Sequence, residues 1–177
     1  MHRLHRRHRV RVRPLRPTDR DTVAAVFAGL SPTSRHRRYL APVETLTDAM
    51  LAALVDVSPD RHVGFVAETR SGTPVGLIRY VVDGPSQAEI AYEVVDDWQG
   101  RAVGTRLLHT LIESARANGI ATLHATILAD NRASLALLKR ALPQLRIREA
   151  GEVIEVAADL STSALSLSDV LEQLQAA

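Results

Sequence analysis

The run Val94-Val95-Asp96-Asp97-Trp98-Gln99-Gly100-Arg101-Ala102-Val103-Gly104-Thr105-Arg106-Leu107-Leu108 constrains this chain more than any other stretch. It reads as a strand, a tight turn and a helix. Val94 and Val95 end a β-branched run, and Gly100 and Gly104 let the backbone turn and approach a ligand closely. Leu107, Leu108, Leu111 and Ile112 then recur at helical spacing. A glycine-bearing turn that opens a helix leaves its first backbone N–H groups unpaired at the positive end of the helix dipole, so it suits an anion. The expectation is a pyrophosphate cradle, and the alternative is an ordinary strand–helix turn.

The flanking order of elements decides between them. Val10 to Arg16 alternates and reads as a first strand. A capping box at Thr18-Asp19-Arg20-Asp21 predicts a helix over Asp19 to Ala28, stopped by Gly29. Ser31-Pro32 restarts a helix that ends near Leu40, and Thr45 or Thr47 caps a third through Val55. His62–Glu68 and Pro74–Val82 form a hairpin across Ser71-Gly72, and a fourth strand, Ala88 to Val95, delivers the chain into the glycine turn. A long helix, Gly104 to Ala117, is closed by Asn118-Gly119. Next come a strand from Ala121 to Leu128, a helix opened at Asn131 that ends before Pro143, and a last hairpin of Leu145–Arg148 and Val153–Ala157 around Gly151. Ser166 to Gln175 reads as an amphipathic tail helix, a lid or a subunit contact, which leaves a homodimer open. The fold class is therefore α/β, an α+β mixed sheet of about seven strands flanked by helices.

Three phosphate loops compete for the glycine turn. The P-loop needs Gly-Lys-Ser/Thr, and this turn holds no lysine. The dinucleotide fingerprint needs three glycines after the first strand of a βαβ unit, and this turn has too few and comes too late. Gln99-Gly100-Arg101-Ala102-Val103-Gly104 instead resembles the coenzyme A loop of the GNAT acetyltransferase superfamily, Gln/Arg-x-x-Gly-x-Gly/Ala. Ala102 stands where that family usually has its first glycine, and a positive φ there would carry a cost. The order of elements matches the family from about Val10 to Leu160, and Asn131-Arg132-Ala133-Ser134-Leu135-Ala136-Leu137 is similar to its Asn-x-x-Ser-x-x-Leu helix opening beside the pantetheine arm. A plain helix N-cap explains Asn131 equally well. The resemblance implies a GNAT fold, a mostly antiparallel twisted sheet. It divides the chain into a basic arm (residues 1–9), an acetyltransferase domain (10–160) and a helical tail (161–177).

The resemblance also implies the chemistry, transfer of an acetyl group from acetyl-CoA to an amine. Val94 and Val95 would bind the pantetheine amides through their backbone. The N–H groups from Gly100 to Arg106, with Gln99, Gly100, Arg101, Ala102, Val103, Gly104, Thr105 and Arg106 forming the loop, would hold the pyrophosphate, beside Asn131 and Ser134. The acceptor must be neutral to attack, yet on the order of a few in ten thousand free lysines are neutral at pH 7, so a general base helps. Glu89 and Glu93 share one face of the fourth strand. Glu89, in Ala88-Glu89-Ile90-Ala91, occupies the place of the family's base; Glu93 would shape substrate electrostatics. The two lie roughly 13 Å apart, beyond a Debye length of ~8 Å, so burial rather than mutual repulsion would have to shift either one. The tyrosine that many relatives carry seven residues after the helix-opening asparagine, as general acid, is Leu138 here. His124 and Tyr92 are the weak substitutes, Tyr92 on the opposite face from Glu89.

Leu30-Ser31-Pro32-Thr33-Ser34-Arg35-His36-Arg37-Arg38-Tyr39-Leu40, with Asp60-Arg61 and Ala88-Glu89-Ile90-Ala91, further resembles the GNAT domain of bacterial protein lysine acetyltransferases. That favours a protein lysine as acceptor. A small-molecule amine is the second reading, and a catalytically weak acyl-CoA-binding regulatory domain the third. Composition narrows the rest. The chain has 177 residues and no cysteine, which excludes disulfides, thiolate metal sites and a cysteine nucleophile; no metal is expected. No apolar run approaches a membrane span, and the start lacks a secretory core, so no membrane partner and a cytoplasmic location are expected. Nearly all the positive charge is arginine, which suits a phosphorylated cofactor. Nucleic-acid contact through His2, Arg3, His5, Arg6, Arg7, His8 and Arg9 is the least favoured role.

Overall fold

The computed structural model describes residues 10–142 and 144–161. The basic arm and the tail helix expected over Ser166–Gln175 lie outside them. Seven strands form one sheet: β1 (Arg11–Pro14), β2 (His62–Glu68), β3 (Pro74–Gly84), β4 (Gln87–Val94), β5 (Thr122–Leu128), β6 (Arg146–Ala150) and β7 (Val153–Asp159). Their order is β1-β2-β3-β4-β5-β7-β6. Every neighbouring pair is antiparallel except β4 with β5. Five helices flank the sheet: α1 (Arg20–Ala28), α2 (Pro32–Tyr39), α3 (Asp48–Val55), α4 (Val103–Ala117) and α5 (Arg132–Ala141). A 3-10 turn, Asp96–Trp98, sits between β4 and α4 where the sequence suggested only a tight turn.

Alternation along the strands builds two unlike faces. One face is apolar: Ile78, Tyr80, Ile90, Leu123, Ala125 and Val156 are buried there against Leu107, Leu108 and Leu111 of α4. On the opposite face Leu15, Val66 and Leu77 pack under Val23 and Val26 of α1 and Leu54 of α3. That second core covers only the β1–β3 half. Toward β5, β7 and β6 the same face turns polar, with Thr122, His124, Thr126 and Glu155 half-buried and Arg146 and Arg148 exposed. Among the described residues no helix is long and apolar enough to cross a membrane.

Of the N-caps expected for α1, α2 and α3, two form and one does not. Ser31 Oγ accepts the Ser34 N–H at 3.2 Å, and Thr47, not Thr45, caps α3 by accepting the Met50 N–H at 3.2 Å. The capping box at Thr18–Asp21 does not form. Asp19 holds the N-cap position of α1 without capping it. Its carboxylate takes the Arg16 N–H at 2.7 Å and a bidentate pair from Arg13 at 2.7 and 3.0 Å. A two-pronged, charge-assisted contact outweighs a neutral cap bond. Arg13 also donates to Glu68 at 2.7 Å, and Arg11 to the same carboxylate at 3.0 Å. β1 is thereby clamped to β2 and to the start of α1.

The glycine turn bears out the conditional cost at Ala102. Gly100 has φ +69°, and Ala102 itself adopts φ +62°, ψ +15° as the N-cap of α4. A side-chain-bearing residue in the left-handed region costs about 1–2 kcal/mol, while glycine enters it freely.

Two expectations follow. Ala102→Gly should raise the unfolding free energy by about 0.5–1 kcal/mol, the relieved strain less the extra freedom of glycine in the unfolded chain. A urea titration checks this, and a loss of stability would contradict it. The second concerns acid. Burial pushes the Asp19 and Glu68 carboxyls up, but the Arg13 contacts, with Arg16 at Asp19 and Arg11 at Glu68, win and hold both below their ordinary values of 3.8 and 4.5. Their stabilisation is therefore present above about pH 4.5 and lost as the pH falls through the depressed native values. Asp19→Asn should cost about 2 kcal/mol at pH 7 and flatten the decline below pH 4 in parallel urea titrations.

Candidate active site

The parallel pairing of β4 with β5 is brief: Gln87, Ala88 and Glu89 face Thr122, Leu123 and His124, and the pairing stops there. Beyond Glu89 the two strands part and leave a cleft. Val95 N–H donates to Val75 O at 3.0 Å, toward β3. By the alternation of an antiparallel ladder, the backbone groups of Ile90, Tyr92 and Val94 point the other way: the Ile90 N–H belongs to the last pairing with β5, and the Ile90 carbonyl, Tyr92 and Val94 face the cleft. So Val94 is aimed as the sequence expects, whereas Val95 is turned to β3.

The turn that follows is stitched to the α1–α2 junction. Asp96 N–H donates to Gly29 O at 3.2 Å, and a Cβ on Gly29 would lie 2.8 Å from Val95 Cγ1, so this approach requires glycine. Gln99 Nε2 donates to Val94 O at 3.1 Å, to Asp96 at 3.2 Å and to Ser34 Oγ at 3.4 Å; its side chain shapes the turn. Burial raises the Asp96 carboxyl, but hydrogen bonds from Ser31 and Ser34 outweigh it and hold it below the usual range. Arg37 reaches from α2 to Asp130, beyond β5, at 3.2 Å. Helix α2 thus bridges the two walls of the cleft.

At the head of α4 no side chain caps the first-turn N–H groups. A Cβ added at Gly100 would meet nothing within 4 Å, while one at Gly104 would meet Leu137 Cδ2 at 3.0 Å, so Gly104 lets α4 lie close to α5. Val103 is buried in the core, and Arg106 N–H already donates to Ala102 O at 3.1 Å. The Arg106 guanidinium donates to Val10 O at 3.4 Å, and Arg101 lies over the Trp98 ring at 5.4 Å. Thr105 is half-buried in the first turn of α4. Asn131 accepts the Ser134 N–H at 3.2 Å and so is the N-cap of α5; Ser134 Oγ bonds the Tyr92 hydroxyl. An uncapped helix start, an open glycine turn and a backbone edge without a strand partner together suit a long, phosphorylated, amide-bearing ligand such as coenzyme A.

The two carboxylates share a face, since Glu89 pairs with Val81 and Glu93 with Leu77, but their surroundings differ. Glu89 is exposed at the apex of the cleft, with His124 opposite. Glu93 is buried, 6% exposed. Its Oε2 lies 3.1 Å from Arg38 Nε. Arg79 and Tyr39 complete this cluster. Burial and then Arg38 lower the Arg79 guanidinium to about 10. Burial and then Glu93 push the Tyr39 hydroxyl up to about 12. Arg38 and Arg79 carried no role in the sequence reading. The signal was present, because Arg79 is the one charged residue in the apolar run Pro74–Val82.

The substitutes for the missing general acid are accounted for individually. Leu138 is fully buried in the core. Tyr92 lies on the apolar face, its hydroxyl pushed up to about 12 by burial, against the opposing effect of Ser134. His124 Nε2 contacts Asp83 Oδ2 at 2.8 Å on the same face as Glu89.

A family model described as an acetyltransferase (GNAT) domain matches residues 9–141. An acetyltransferase of Pseudomonas aeruginosa is 35% identical over 128 residues, 70% of this chain and 69% of that protein. The acetyltransferase Pat of Mycolicibacterium smegmatis is 32% identical over 132 residues, 73% of this chain and 39% of Pat. The solved GNAT domain of S. lividans PAT matches with a TM-score of 0.78 and 25% identity, over 85% of this chain and 90% of that one. The family match spans most of the sequence, and the seven-stranded mixed sheet agrees with it: the chain belongs to the GNAT acetyltransferase family.

Proposed function

We propose that this protein transfers an acetyl group from acetyl-CoA to a primary amine, with a protein lysine as the favoured acceptor. The observation that carries the reading is the parting of β4 from β5 at Glu89, beside an uncapped α4. The cleft-facing backbone of Ile90, Tyr92 and Val94 offers the pantetheine arm a substitute for the missing strand. The N–H groups at Gly100 to Thr105 would hold the pyrophosphate, and Arg101 would add charge beside them. When bound, the coenzyme supplies an acyl carbon activated as a thioester. Glu89 takes a proton from the acceptor ammonium, the freed nitrogen bonds to the acyl carbon, the carbon–sulfur bond breaks, and the departing thiolate takes up the second proton that the nitrogen sheds. A thiol of pKa ~8.5 leaves without help, so the absence of a tyrosine at Leu138 is tolerable.

The lysine preference rests on the resemblance of Leu30–Leu40, Asp60-Arg61 and Ala88–Ala91 to protein lysine acetyltransferases, and on the similarity to Pat. The chain spans well under half of Pat, so Pat's remaining properties are not carried over.

Release of free thiol from acetyl-CoA, measured against a panel of proteins, lysine peptides and small amines, tests the reading. Glu89→Gln should lower turnover at pH 7 by about 100-fold and leave coenzyme affinity within about twofold. Turnover on small amines alone would move the acceptor assignment, and coenzyme binding without release would identify a regulatory acyl-CoA-binding domain instead.

A further inference from the structure

Beneath α2 the protein keeps a group of charges that the transfer step does not use. Arg38, Arg79 and Glu93 line one cavity together with Leu15, Leu77 and Ala91. Glu93 is nearly fully buried, yet its Oε2 makes no hydrogen bond of good geometry, and neither do the buried Arg38 Nε and Tyr39 hydroxyl. Arg38 Nε and Glu93 Oε2 lie 3.1 Å apart on the cavity wall without good hydrogen-bond geometry, and buried polar atoms are almost always satisfied, so a ligand group or water in the cavity would complete them. The charges do not balance either. Two guanidinium groups share one close carboxylate, and that carboxylate lies against Arg38. Arg79 has no hydrogen bond or close ion pair among the described residues, and Arg38 repels it. Glu93 and Glu89 act on this half-buried guanidinium only from a distance, so a further anion within hydrogen-bond range would offset its burial.

The place matters as much as the charge. Arg79 is paired with Ala91, one step along the same face from the Val81–Glu89 pair. Alternate residues on a strand are about 7 Å apart, so an arginine side chain reaches a group attached close to an amine held at Glu89. Ala91, opposite Arg79, has only a methyl group and leaves the approach open.

We propose that this cluster reads a carboxylate on the acceptor: the amine that enters at Glu89 carries, a few bonds away, a carboxylate that docks on Arg79 and Arg38. The inference rests on the acetyltransferase reading and narrows its substrate class. The carboxylate comes either from a free amino acid or from an Asp or Glu beside the target lysine of a protein.

The experiment compares matched acceptors that differ only in that group, with thiol release from acetyl-CoA as readout. Lysine is set against cadaverine, phenylalanine against phenethylamine, and a peptide with Glu beside its lysine against the same peptide with Gln. The wild-type protein should favour the carboxylate-bearing member of at least one pair by about 10- to 100-fold in kcat/KM, the range of a charged hydrogen bond. A preference confined to the peptides identifies the protein source; one confined to the small amines identifies the amino acid. Arg79→Gln should abolish the preference through KM, and Arg79→Lys should restore part of it. Should Arg79→Gln fail to fold, 3-phenylpropionate, which has the carboxylate but no amine, must still compete with the acceptor on the wild type. Equal rates within every pair, a preference that survives Arg79→Gln, or no competition by 3-phenylpropionate would overturn the proposal and leave water as the cavity's occupant. Turnover without preference defeats this inference alone; no turnover on any amine defeats the acetyltransferase reading and this inference with it.

Discussion

The contact between β4 and β5 is three residue pairs long, and the fourth pair does not form. In an ordinary sheet that would leave backbone donors and acceptors exposed on both strands, and a folded chain seldom tolerates such a loss in its interior. Here the loss is placed at the centre of the sheet and supported from all sides. β3 holds the other edge of β4 along its length, β7 does the same for β5, and α4 packs across the floor. The gap therefore has rigid walls. A ligand that brings amide groups to it completes hydrogen bonds that the fold has oriented in advance.

The remaining features of the site depend on where the strands part. Glu89 and His124 are the last pair to touch, so they flank the apex. The turn after Val94 must then pass into α4 within a few residues, and it does so with two positive-φ residues, Gly100 and Ala102, on either side of Arg101. Gly29 admits Val95 at a distance no side chain would allow, which fixes α2 above the cleft and brings Arg38 down onto Glu93. A close backbone approach at the end of β4 thus helps decide which charges reach the same face two residues earlier.

Most of this was legible in the sequence because it rests on local rules. Strand boundaries such as His62–Glu68 follow from alternation, and α2 and α3 from Ser31-Pro32 and Thr47. The cost at Ala102 could be stated in advance because only glycine enters that backbone region freely. What escaped were contacts between residues distant in the chain. Asp19 looks like part of a capping box until β1 brings Arg13 beside it. Glu93 reads only as a charge that shapes the substrate's surroundings until α2 folds over it and brings Arg38 into contact. The direction of Val95 depends on its partner Val75, which periodicity alone does not name.

The strap formed by α2 has a mechanical consequence. It is anchored to the two walls by unequal ties: a cluster of buried or half-buried groups around Asp96, Ser31 and Glu93 on the β4 side, and on the β5 side the solvent-exposed pair Arg37–Asp130. An exposed ion pair contributes at most about 1 kcal/mol and weakens as salt screens it. The charged ties of the helix are therefore stronger on the β4 wall than on the β5 wall. Raised ionic strength loosens the tie on the β5 side and leaves the buried tie on the β4 side in place.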